Sequence, residues 1–181
     1  MKNLLSILIL LLLSNNLLGQ KYSSKKGQVT FEASVPLFED ISAKENNNVF
    51  IFDTDTGGIA SISFVKNFKF TVALMEEHFN ENYAETGKYP KVTFKGKVLN
   101  FDKKKITISP QKFTIQGILN FHGADKAISS PVTIYTKDGK IYFQGSFVVK
   151  PIDFKITIPK VVNKKVAEVV KIKYDYILIL Q

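Results

Sequence analysis

For most of its length this chain changes polarity at every second residue, and that rhythm leaves few folds open to it. Val29, Phe31, Ala33 and Val35 alternate with Thr30, Glu32 and Ser34, and Val92, Phe94, Gly96 and Val98 alternate with Thr93, Lys95 and Lys97. Successive side chains on a strand point to opposite faces, so each run has one face for a core and one for water. A chain made almost wholly of half-buried strands pairs them antiparallel, in a sandwich or a barrel. One stretch, between Phe68 and Phe94, breaks the rhythm. There Val72, Met75, Phe79 and Tyr83 recur at spacings of three, four and four and share a helix face, while Glu76, Glu77, Asn80 and Glu81 take the other. Gly87 and Pro90 stop the helix. A barrel has two open ends, and a helix with one apolar face is suited to cover one of them. Phe79, in the middle of that face, is expected to be largely buried.

The other strands follow in order. Val49 to Phe52 and Ile59 to Val65 flank the turn from Asp53 to Gly58 and form a hairpin, with Ala60, Ile62 and Phe64 sharing one face of the second strand. Ile106 and Ile108 open a short strand, and Phe113, Ile115, Gly117, Leu119 and Phe121 make a long inward face. Val132 and Ile134 come next, and Lys137-Asp138-Gly139-Lys140 is a strong hairpin turn. Ile141, Phe143, Gly145, Phe147 and Val149 share a face, followed by Phe154, Ile156 and Ile158 before Pro159. The last strand places Val170, Ile172, Tyr174, Tyr176, Leu178 and Leu180 together. About eight or nine short strands result, and the glycines inside them (Gly96, Gly117, Gly145) favour a closed barrel, whose bending needs residues without a Cβ.

The length of 181 residues suits one domain. Residues 1–19 read as a secretory signal peptide: Lys2 is a positive start, Leu4 to Leu13 is apolar apart from Ser6, and small or polar residues lead to cleavage after Gly19. The domain is then residues 20–181. A retained anchor is the other reading of such a leader, but its apolar run is too short for a comfortable span, and no later stretch is long and apolar enough. A periplasmic or secreted protein with no stable membrane span is therefore expected. With no cysteine, the chain has no disulfide, thiolate metal site or cysteine nucleophile. Its formal net charge of +9 comes from lysine without any arginine. Bidentate recognition of bases and phosphates favours arginine, and these lysines are scattered, so no nucleic-acid partner is expected.

No catalytic motif emerges. Asp55-Thr56-Gly57 is the tripeptide of an aspartic protease, but that chemistry needs two such carboxylates and the chain has one copy. Asp53, Asp55 and Gly58 begin like a calcium loop, whose twelfth position requires glutamate and is Phe64 here. His78 has no close ligand pair, and His122, beside Gly123, is expected at an outward strand end. No metal or cofactor is called for. The aromatic load remains: 15 phenylalanines, many at inward alternating positions. An eight-stranded barrel can be packed solid by such side chains or can hold one ligand, and the residues alone leave both open.

Four segments resemble the YceI-like proteins, secreted or periplasmic bacterial lipid-binding barrels. Ala73-Leu74-Met75-Glu76-Glu77-His78-Phe79-Asn80-Glu81-Asn82-Tyr83 resembles the family helix, and Lys88-Tyr89-Pro90-Lys91-Val92-Thr93-Phe94 its exit into the next strand. Gly117 to Lys126, with Phe121-His122-Gly123 at its centre, and Asp153-Phe154-Lys155-Ile156 through Pro159 resemble two further family elements. The resemblance implies an all-β fold, a closed antiparallel eight-stranded lipocalin-like barrel with the helix covering an end. It also implies a hydrophobic small-molecule partner held in the lumen, an isoprenoid-type lipid such as a polyisoprenoid or an isoprenoid quinone. As ligand-lining residues it implies Phe31, Phe52, Ile62 and Phe64 from the first strands, and Phe70, Leu74, Met75 and Phe79 from the helical stretch, with His78, Asn80 and Asn82 as polar contacts. Phe94, Phe113, Ile115, Phe143 and Phe147 complete the lining from the later strands. The expected function is binding, storage or transport of that ligand without catalysis, and it is compatible with a homodimer. The alternatives are a packed barrel acting as a surface or interaction protein, and a lipid-modifying enzyme with His78 and Glu81 as its acid–base pair.

Overall fold

The structure, a computed structural model, describes residues 20–181, so the leader expected at 1–19 lies outside the described residues. The strands are β1 (Lys21–Glu32), β2 (Ser42–Asp53), β3 (Gly58–Phe64), β4 (Lys69–Phe70), β5 (Lys91–Val98), β6 (Gln111–Phe121), β7 (Ala124–Lys137), β8 (Lys140–Val149) and β9 (Val170–Leu180). All pairings are antiparallel, in the order β1-β9-β8-β7-β6-β5-β3-β2, and a β1–β2 pairing closes the ring. β4 stands outside that ring of eight and pairs with Ala43 and Lys44 of β2. The helix α1 (Ala73–His78) continues as a π-helical turn, Phe79–Tyr83, and sits at one end. The chain thus adopts the expected closed antiparallel barrel with a helix at its end.

Turn chemistry and glycine place the strands. Asp138-Gly139 between β7 and β8, and His122-Gly123 between β6 and β7, hold both residues at positive φ (51° and 71°; 51° and 70°). That is the type I′ geometry whose twist matches paired strands. Gly96 of β5 and Gly117 of β6 lie directly opposite, and a Cβ on either would run into the facing backbone. β1 and β2 each carry a bulge: Lys25-Lys26 stand against Val49, and Asn46-Asn47 against Gln28.

Inside, the barrel is packed at one end. Phe52, Ile134, Phe143 and Leu178 are fully buried there, joined by Phe50, Val132, Ile141 and Tyr176. A second apolar cluster, built on Leu119, Ile128, Val149, Phe154 and Ile156, lines the wall toward the other end.

Four expectations change. The inner face of β3 is Ile59, Ser61 and Ser63, followed by Val65; Ala60 and Phe64 are exposed, and Ile62 is on the outer side. Two serines face inward because Asn48 and Glu45 of β2 hydrogen-bond them there. Ile106 and Ile108 form no strand: a 3-10 turn at Lys103–Lys105, capped by Asp102, takes the chain across the closed end. Phe154, Ile156 and Ile158 are not a strand either, because Pro151–Phe154 is a 3-10 turn and Lys155 turns the backbone at φ 60°. Phe79 is half-buried, and neither α1 nor the π turn that carries it has a fully buried residue.

The opposed glycines yield a direct prediction. Gly96→Val should push β5 and β6 apart and cost about 1–3 kcal/mol or more, as overpacking does. Urea unfolding measures it; a midpoint equal to the parent's would show that the close approach is not required.

Candidate functional site: a half-filled barrel

The strand directions put the loop 33–41, α1 with its π turn, the 84–90 connection, the His122-Gly123 turn and the 150–169 segment all at one end of the barrel. From that end a cavity of about 730 Å³ runs inward. Its floor is aromatic. Phe50 stacks on Tyr176, with centroids 4.2 Å apart and planes 15° apart, and meets Phe143 at 4.8 Å. At the mouth Phe31 packs against Phe68, Phe70 and Phe79 at centroid distances of 5.7, 5.4 and 5.2 Å. Such tilted and edge-on ring pairs add to the area they bury.

Ten of the residues expected on the lining do line this cavity: Phe31, Phe70, Leu74, Met75, His78, Phe79, Phe94, Ile115, Phe143 and Phe147. The other six do not. Phe52 is fully buried below the floor, where it packs edge-on against Phe143, and Phe113 packs partly buried against the same core. Ile62 and Phe64 face outward, for the reason given for β3. Asn80 is turned away, its amide donating to the Glu76 carbonyl, and Asn82 is exposed on the outer side of the π turn.

The lining also holds residues that alternation does not mark. The loop 33–41 supplies Leu37 and Phe38, and the 150–169 segment supplies Val162 and Val166. Those stretches are irregular and have no period to read. Asn48, Ser61, Ser63, Tyr174 and Tyr176 bring polar groups into the wall. Tyr174 and Tyr176 share the expected inner face of β9, whereas polar side chains in alternating strands are assigned to water by default. Burial pushes both phenols well above the usual tyrosine range, so they are neutral hydroxyls at any physiological pH. The charged lining residues are Glu39 and Lys165, both exposed and both in the mouth-end segments.

Side-chain bonds fix the mouth. His122 is not an outward strand end: its ring lies against Tyr89, with Nδ1 2.9 Å from the Phe154 carbonyl and Nε2 2.6 Å from the Glu85 carboxylate. It therefore joins the helix exit to the 151–154 turn. Lys126 donates to Asp153 at 2.8 Å and holds that turn on β7. Glu76 accepts from the Lys69 ammonium and from the Phe70 backbone N–H, which ties α1 to β4. Among the described residues no group of three or more His, Asp or Glu gathers as a metal site would require, and no helix is long and apolar enough to cross a membrane.

A deep apolar cavity in an eight-stranded antiparallel ring, roofed by a short helix, has counterparts among known proteins. The family model described as YceI-like domain matches residues 21–178. The chain belongs to the YceI-like family. No curated protein sequence matches it at a significant level. Among solved structures, this YceI-like barrel is similar to a polyisoprenoid binding domain from Saccharophagus degradans implicated in plant cell wall breakdown. That likeness has a TM-score of 0.76 and 11% identity over 90% of this chain and 99% of the other. It is also similar to BcnA of Burkholderia cenocepacia (TM-score 0.69, 17% identity, 84% of this chain and 96% of the other). The YCEI protein of Campylobacter jejuni gives a TM-score of 0.54 at 20% identity, over 87% and 85%. At these identities the likeness establishes the fold, and the lining of this YceI-like barrel is its own.

The Glu76 tie makes the mouth of the YceI-like barrel sensitive to acid. The Lys69 ammonium, aided by the Phe70 N–H, holds the Glu76 carboxyl below its ordinary value of 4.5. A depressed folded pKa means that the tie is fully present above that value and is lost as pH falls through the folded pKa. The Phe70 amide resonance is expected to shift on acidification below pH 4.5 and to lose that titration in Glu76→Gln. A Phe70 titration that survives in Glu76→Gln would assign it to another group.

Proposed function

We propose that this protein is a non-catalytic carrier or store for an elongated, largely apolar molecule of the polyisoprenoid or isoprenoid-quinone class, held in the barrel, and that it works after export directed by residues 1–19. The observation that carries the reading is the cavity itself: about 730 Å³, walled by aromatic and aliphatic side chains and closed below by packed rings. That size lies within the range of small-molecule sites. Each methylene buried from water contributes about 0.8 kcal/mol, so about ten of them offset the cost of immobilising the ligand without any charged anchor. The description of the similar Saccharophagus degradans domain as polyisoprenoid binding supports the ligand class. The alternative acid–base pair is not assembled in the cavity, since His78 lines it while Glu81 is exposed on the outer side of the π turn.

Organic extraction of the purified protein followed by mass spectrometry is expected to release an isoprenoid-chain lipid. Protein that is consistently empty and also rejects added isoprenoids would overturn the reading.

Phe79 tests the part played by the helix. Half-buried and packed on three rings at the mouth, it contributes less to the fold than a core phenylalanine. Phe79→Ala should cost about 1–2 kcal/mol in the delipidated protein, well below the ~3–5 kcal/mol of a fully packed ring, and should lower lipid retention clearly. Glu77→Ala, on the exposed side of α1, should stay within about 0.5 kcal/mol of the parent. A delipidated Phe79→Ala that is unfolded, or that keeps its lipid as the parent does, removes the helix from the binding role.

A further inference from the structure

The cavity stops abruptly, and three strands stop it in the same way. β2 gives Phe50 to the lining, and its next inward residue, Phe52, is fully buried below. β9 gives Tyr176, with Leu178 fully buried beyond it. β8 gives Phe143, with Ile141 buried beyond it. Under that level the 3-10 turn at Lys103–Lys105 carries the chain across the closed end, and Phe101 packs edge-on against Phe52. The lumen is blind: a chain that enters at the mouth runs inward until it meets the rings.

Those rings are wedged. Phe50 is stacked on Tyr176 and meets Phe143, while Gly27 of β1 lies so close to the Tyr176 ring that a Cβ there would collide with it. A close-packed interior does not part for a ligand tail as a weakly held rim can. Val29, two residues nearer the mouth than Gly27, also lines the cavity and is half-buried, so open space begins directly above the rings.

Resting on the carrier reading, we infer that Phe50, Tyr176 and Phe143 form a stop that measures the ligand, so that this barrel is specific for the length of an isoprenoid chain. A methylene takes about the space share of one water, ~30 Å³, so the cavity of about 730 Å³ holds a chain of about 25 carbons, about five isoprenoid units. Each unit inside loses its contact with water, and each unit left beyond the mouth keeps it. Affinity therefore climbs with chain length until the cavity is full and is level from there on. The floor rings set where that break falls.

Prenyl monophosphates of increasing length, from geranyl through farnesyl, geranylgeranyl and geranylfarnesyl to hexaprenyl, are titrated into delipidated full-length protein. The phosphate is common to all of them and remains in water at the mouth, since burying it unpaired is costly. Each probe up to geranylfarnesyl is expected to bind roughly tenfold or more tighter than the one before, and hexaprenyl no tighter than geranylfarnesyl. Phe50→Ala removes a ring of about the bulk of one unit and should make hexaprenyl the tightest probe. Val29→Phe fills the space above the floor and should bring geranylgeranyl level with geranylfarnesyl. Because it adds bulk to open space, it decides the matter alone if Phe50→Ala does not fold. Tyr142→Phe, on the outer face of β8 against Tyr135, should keep the parental break. Parental affinity that still climbs at hexaprenyl, or is level before geranylfarnesyl, overturns the length limit. A break that stays in place in Val29→Phe, or in a folded Phe50→Ala, overturns the role of the rings. Both results leave the carrier reading standing. Rejection of every probe together with longer isoprenoids overturns the carrier reading and the stop with it.

Discussion

The level at which Phe50, Tyr176 and Phe143 meet decides what the rest of the barrel can be. An eight-stranded ring is just wide enough to be filled by its own side chains or to hold one ligand, and this one is packed at one height and hollow at another. Below the three rings, Phe52, Ile134 and Leu178 are wholly buried, each worth about 1.5–3 kcal/mol over an exposed position. That packed half supplies the cohesion that the open half lacks. Two glycines make the arrangement possible: Gly27 lies under the Tyr176 ring and Gly145 under the Tyr174 hydroxyl, so the tyrosines lie across the interior without forcing the strands apart.

The mouth is built on different terms. Its segments are a short helix, a π turn, 3-10 turns and irregular chain, with few ladder bonds to hold them. Clustered phenylalanine rings and single side-chain ties, Lys69 to Glu76, His122 to Glu85 and Lys126 to Asp153, keep them in place. Exposed ion pairs contribute little by themselves, so the rings carry most of the cohesion there. A rigid cup thus carries a more weakly held rim, which can rearrange without opening any strand of the barrel.

The fold was legible because alternation and turn chemistry are local. Asp138-Gly139 and the strands around it could be placed from a handful of residues. The helix and the aromatic lining of β5 to β8 were readable for the same reason, and Phe94, Ile115, Phe143 and Phe147 do line the cavity. Where reading failed, a distant partner had decided the outcome. The face of β3 inverts because Asn48 and Glu45 wait across the sheet for Ser61 and Ser63, a pairing that no window within β3 contains. Phe52 and Phe113 were placed on the correct side of the sheet but at the wrong height, because alternation gives direction and not depth. The rim residues Leu37, Phe38, Val162 and Val166 lie in irregular chain, where position comes from tertiary packing alone.

The bulge at Asn46-Asn47 changes how β2 should be read. Glu45 and Asn48 both face inward although they are three residues apart, and Phe50 and Phe52 follow in the new phase. The strand therefore carries two texts in reading frames offset by one. Before the bulge it spells part of the polar wall, and after it the aromatic floor. Delete one asparagine and the second text would be read out of frame, turning Val49 and Ile51 inward and the rings of Phe50 and Phe52 to water. The border between the half of the barrel that is filled and the half that is empty is thus written, on this strand, as a single extra residue.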